Sequence, residues 1–190
     1  RKGQKALRVL RDTFELTDDA QSSDPNFALL RNGSFIAIWD GGSSIRKKSK
    51  IFAAIFDDQG NVVVQKFQIN TDNQVANAYE STPIMKVVNN GNIIMAWEVL
   101  QGSYQYLYMK VIDSDANIIQ PSISLSNHPP IGLPEILILP NGNTAIVYAS
   151  SLSGRLVVFH LSASNYSILN SFTLKNFAAD FGVKAISLTT

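Results

Sequence analysis

Two carboxylates in this chain stand directly after a tryptophan, Asp40 after Trp39 and Glu98 after Trp97. Paired acids beside aromatic rings at one rim could bind or cleave a sugar. One carboxyl protonates the glycosidic oxygen while the other acts on the opposite side of the ring. The third comparable position carries Ala149 after Tyr148, so the pattern is not kept. Other chemistries find less support. His128 and His160 are the only histidines, and no H-x-x-x-H, E-x-x-H or G-x-S-x-G spacing occurs. Asp57, in Asp57-Asp58-Gln59-Gly60, and Asp113 and Asp115, in Asp113-Ser114-Asp115-Ala116-Asn117, are weak calcium candidates. Neither loop has the downstream Glu of an EF-hand, and the same residues suit hairpin turns without metal. The expectation is therefore no catalytic residue, no metal and no cofactor. Ligand binding falls to aromatics placed at a rim: Trp39, Trp97, Tyr104, Tyr106 and Tyr148. Asn32 and Asn165 head N-x-[ST] sequons that matter only in a eukaryotic secretory route.

The elements that must position these residues are written as an internal repeat. Asn32-Gly33, Asn90-Gly91 and Asn141-Gly142 each introduce an apolar run, and the sixth residue after each Gly is Trp39, Trp97 or Tyr148. The glycines are 58 and 51 residues apart (91 − 33 and 142 − 91). A period near fifty with several strands in it is the signature of stacked β-modules, most often propeller blades. The first period predicts strands over 27–31, 34–39, 51–56 and 62–69, and the second over 84–88, 92–97, 104–112 and 118–125. The third predicts them over 135–139, 144–148, 156–161 and 168–174. Asn-Gly between such runs predicts a two-residue type I′ turn. Runs such as Phe35-Ile36-Ala37-Ile38-Trp39 are apolar on both faces, which asks for cover on both sides and favours stacked sheets over a two-sheet sandwich. The fold class is all-β: a β-propeller-like array of four-stranded antiparallel blades, three full periods plus partial ones.

Composition narrows the partners. Charged residues make up 16% of the chain and the net charge is +1, which argues against nucleic acid. The apolar runs are of strand length, so no membrane span is expected. The absence of Cys excludes disulfides and thiolate metal sites. With neither an initiator Met nor a signal peptide, the chain reads as a processed product or a fragment. Basic residues cluster in the first eleven positions and again at Arg46, Lys47, Lys48 and Lys50, as a solvated arm and loop or as an anion contact.

Phe56-Asp57-Asp58-Gln59-Gly60-Asn61, Phe67-Gln68-Ile69-Asn70-Thr71 and Asn90-Gly91-Asn92-Ile93-Ile94-Met95-Ala96-Trp97 together resemble a repeat of large secreted bacterial adhesin-like proteins. Those repeats read F-D-x-x-G-N, F-x-V-N-T and G-G-F-V-V-x-W. The resemblance implies an extracellular or cell-surface location and a propeller-like array, and it transfers no catalytic residue.

On this reading a basic arm over 1–13 precedes a repeat domain over 14–190, with periods 14–66, 67–122, 123–171 and a partial one over 172–190. Unpaired edges near Ala6 to Asp12 and Val183 to Thr189 invite strand addition from other copies, steered by Asp18, Asp19 and Asp24. The expected function is a non-enzymatic structural or adhesive protein that self-associates into a filament or surface assembly. The alternative is a carbohydrate-binding propeller module with glycans as partners, using the rim aromatics.

Overall fold

A computed structural model describes residues 22–42, 49–72, 78–126, 130–150 and 155–174. It contains twelve strands: β1 (Ser23–Leu29), β2 (Phe35–Gly42), β3 (Ser49–Phe56), β4 (Val62–Gln68), β5 (Tyr79–Val87), β6 (Ile93–Gln101), β7 (Tyr104–Ile112), β8 (Ile118–Ser126), β9 (Pro130–Ile138), β10 (Thr144–Ser150), β11 (Arg155–Leu161) and β12 (Ile168–Leu174). They form three four-stranded antiparallel sheets in chain order, β1 to β4, β5 to β8 and β9 to β12. The all-β, blade-by-blade architecture read from the repeat is the observed one. The basic arm, the loop bearing Arg46, Lys47 and Lys48, and the strand edges proposed near both ends lie outside the described residues.

Alternation along the strands joins the sheets. Ile36, Ile38, Ile51, Ala53 and Ile55 of the first sheet share one core with Met95, Trp97 and Val99 of the second. Ile94, Ala96, Met109 and Val111, on the opposite face of the second sheet, pack on Ile146, Tyr148 and Phe159 of the third. The middle sheet is therefore apolar on both faces because it has a neighbour on both. The first strands lie innermost, where β5 touches both β1 and β9.

Two features differ from the sequence expectation. The Asn-Gly turns are not type I′. In all three, Gly has positive φ (88°, 91° and 82°) and the preceding Asn does not. The Gly33 N–H donates to Leu30 O at 3.1 Å and the Leu30 N–H to Ser34 O at 2.7 Å, which marks a three-residue loop closed by a left-handed Gly. Asn earns its place through its side chain: Asn32 Oδ1 accepts from the Ser34 N–H, and Asn90 and Asn141 do the same two residues on.

The innermost strands also start earlier than predicted, at Ser23, Tyr79 and Pro130 instead of 27, 84 and 135. Each continues through a bulge. Ser23 to Asn26 spans three steps against two on β2 (Asp40 to Ile38), and Ser81 to Ile84 spans three against two on β6. Asp24-Pro25 and Thr82-Pro83 occupy these bulges, with positive φ at Asp24 (49°) and Thr82 (51°). Pro has no N–H to give a ladder, so a bulge is where a strand can hold it.

Candidate acidic site at the open ends of the inner strands

The bulges lie at the ends of the hairpins opposite the Asn-Gly turns, where β2 and β6 finish. Register brings Ser23 opposite Asp40 and Ser81 opposite Glu98. Because Asp40 follows Ile38 by two residues, it shares the face turned to the second sheet, whereas Glu98 follows Ala96 and shares the face turned to the third.

Asp40 is almost fully buried. Ser23 Oγ donates to its Oδ1 at 2.8 Å, and Ser49 Oγ lies 3.5 Å from Oδ2. Burial pushes its carboxyl above the usual range; the Ser23 hydrogen bond opposes this, and the charge of Asp24 adds to it. Glu98 is pushed up to about 7, chiefly by burial, with Thr82 holding it down and Asp24 again pushing it up. Thr82 Oγ1 falls short of hydrogen-bond geometry yet lies close enough to Glu98 to act on it. Asp24 is exposed on the bulge and its charge reaches both neighbours. Three carboxyl groups thus gather at one end of two adjacent sheets: one exposed, one buried and hydrogen-bonded, one poised near neutrality.

The pair Asp40 and Glu98 stands out in the sequence, whereas Asp24 enters there only as an acid that steers assembly. Its signal is an X-Pro step eight residues before each turn glycine: Asp24-Pro25, Thr82-Pro83 and Leu133-Pro134. The third sheet departs from the pattern, with Leu133 at the bulge, 54% exposed, and Ala149 in place of the acid.

The aromatics expected at a rim are mostly elsewhere. Trp39, Trp97 and Tyr148 are 3%, 1% and 1% exposed and serve as packing residues. Trp97 stacks on its cross-strand partner Tyr108 with centroids 6.2 Å apart, and Tyr148 donates its hydroxyl proton to Ser126 Oγ at 2.6 Å across the seam to the second sheet. Trp97 and Tyr148 fill the spaces between sheets, whereas Trp39 packs with Ala37, Ala54 and Phe56 of its own sheet. Tyr104 is 67% exposed and Tyr106 half-buried.

The calcium candidates are turn scaffolds. Asp57 Oδ1 accepts from the Gln59 and Asn61 N–H groups and Oδ2 from Asn61 Nδ2, and Asp113 repeats the arrangement with Asp115 and Asn117. These bonds hold both carboxyls below the usual range, Asn61 and Asn117 opposing what burial there is. Asp115 supplies its backbone N–H to that turn. Among the described residues, no group of three His, Cys, Asp or Glu side chains is placed to hold a metal. Asn32 and Asn165 lie exposed in turns, where Asn165 Oδ1 accepts from the Ser167 N–H and hydroxyl.

No family model and no curated protein matches the chain. Solved structures do. A Penicillium chrysogenum alpha-L-arabinanase complexed with arabinobiose superposes with a TM-score of 0.54 at 16% identity, over 76% of this chain and 43% of that one. A GH43_1 enzyme from Xanthomonas citri gives 0.52 at 11% identity, over 84% and 57%. The exo-beta-1,3-galactanase of Phanerochaete chrysosporium with galactose gives 0.51 at 11% identity, over 80% and 38%. The fold is shared with carbohydrate-active enzymes. The chain spans only about half the length of these structures or less. The expectation of a non-enzymatic, adhesive, self-assembling protein is corrected by this likeness: the same stacked sheets carry polysaccharide-cleaving enzymes, and here they bring carboxyl groups together.

Proposed function

We propose that this chain is part of a carbohydrate-active propeller that binds a polysaccharide across the acidic ends of its first two sheets and hydrolyses it. The observation that carries this reading is the convergence of Asp24, Asp40 and Glu98, with Glu98 titrating at about 7. A carboxyl that keeps its proton near neutrality is suited to general acid work, and an exposed carboxylate nearby is suited to activating water. Glu98 gives its proton to the leaving glycosidic oxygen as the bond to the anomeric carbon breaks. Water supplies hydroxide to that carbon and leaves its proton on Asp24, so one water is added across the bond. Burial and the charge of Asp24 together keep the Glu98 proton in place. A location outside the cell fits a polysaccharide partner.

The test is release of reducing ends from arabinan and from β-1,3-galactan, the polymers indicated by the structurally similar enzymes. Glu98→Gln and Asp24→Asn are expected to lower the rate by about a hundredfold or more while leaving binding within a few fold. Binding without hydrolysis in the parent chain would favour glycan recognition alone, a second reading supported by Leu133 and Ala149 standing where the other sheets carry polar groups. Neither binding nor hydrolysis would overturn both.

A further inference from the structure

Behind the acidic end lies a buried polar cluster that no turnover step uses. Glu80, on β5 two residues before Thr82, is 1% exposed. Lys50 Nζ, from β3 of the first sheet, donates to Glu80 Oε1 at 3.1 Å. Asn70, which follows β4 and is fully buried, and Trp97 Nε1 of β6 both face the same carboxylate. They fall short of hydrogen-bond geometry, yet they lie close enough to oppose the upward push of burial on Glu80. One buried carboxylate thus accepts a hydrogen bond from Lys50 of the first sheet and has Asn70 and Trp97 as close polar neighbours.

Three members of this cluster, Lys50, Trp97 and Glu80, lie beside the acidic site. Lys50 is the cross-strand partner of Gly41, next to Asp40. Trp97 precedes Glu98, and Glu80 shares its strand with Thr82. A buried charge that loses its partner is strongly destabilised, so the cluster admits few alternative arrangements. We propose that Glu80 is a positioning residue: its ion pair with Lys50, beside Asn70 and Trp97, ties the first sheet to the second and so sets the angle at which Asp24 and Asp40 approach Glu98. The assignment rests on the acidic end being the working site.

The test uses the full chain and the double variant Lys50→Met/Glu80→Gln, which leaves the net charge unchanged and so separates position from charge. The readout is the titration midpoint of Glu98, followed by carboxyl-carbon NMR, together with kcat and KM on whichever polysaccharide the parent cleaves. The groups that face Glu98 are Thr82 from β5 and Asp24 from β1, and neither is altered. If the cluster sets the seam, the double variant folds, its Glu98 midpoint falls from about 7 to below about 6 as water enters, and kcat drops at least tenfold with KM within twofold. Lys50→Arg, which keeps the ion pair, restores both. If the double variant fails to fold, Glu80→Gln alone is compared with Lys50→Met alone, whose opposite charge changes must then move the midpoint in the same direction. An unmoved midpoint in the folded variants overturns the assignment. A parent chain that cleaves nothing refutes the hydrolase reading, while the midpoint still reports on Glu80.

Discussion

The residue with the most to reveal is Glu98, because its environment makes a signed statement about stability. Its folded value of about 7 stands above its ordinary 4.5. Between those values the folded chain holds a proton that the unfolded chain has released. Stability therefore falls as pH rises through that window and levels off above it. The cost at high pH is on the order of 3 kcal/mol. Glu98→Gln removes a charge that the fold disfavours, so the variant should melt higher than the parent at pH 8, by an amount worth about 1–3 kcal/mol, and nearly level with it at pH 4. Asp40 and Glu80 are raised in the same direction and contribute to both curves alike, so the difference between the curves isolates Glu98. Melting curves that stay parallel from pH 4 to 8 would show that Glu98 is ionised without penalty.

At the scale of the element, the second strand of each sheet is the structural spine. Trp97 on β6 is wedged between the first and second sheets, and Trp97→Ala should cost about 3–5 kcal/mol in urea unfolding. A loss under about 1 kcal/mol would mean that the ring contributes no packing between sheets. The interiors of the strands were legible because they are apolar on both faces, a pattern that only stacked sheets satisfy. The starts of β1, β5 and β9 were not, because a proline inside a strand pattern argues against a strand. That rule concealed the bulges, and with them Asp24. The turn type differs for a related reason: Asn-Gly suits a type I′ turn, but an Asn side chain bonded two residues ahead also stabilises the longer loop. Periodicity likewise shows where Trp39, Trp97 and Tyr148 recur without showing whether that position faces a neighbour or water.

For the molecule as a whole, burial is graded from the middle outward. The second sheet is covered on both faces, whereas every residue of β12 is exposed. Hydrogen exchange should therefore be slowest at the amides of β6 and fastest at those of β12, since local opening follows buried contact. Equal protection of both would mean that the stack opens only as a unit. The seams between sheets also have a direction. Trp97 and Tyr148 look back toward the preceding sheet, while Asp40 looks forward to the next and Glu98 does the same. A single repeating tile thus fits its own successor, and duplicating it reproduces the joint without any new invention of shape. Glu98 sits one residue beyond Trp97, and Ala149 one beyond Tyr148, the two aromatics that make the joints. Chemistry can therefore be erased from one copy, as Ala149 and Leu133 show, while the fit between copies survives.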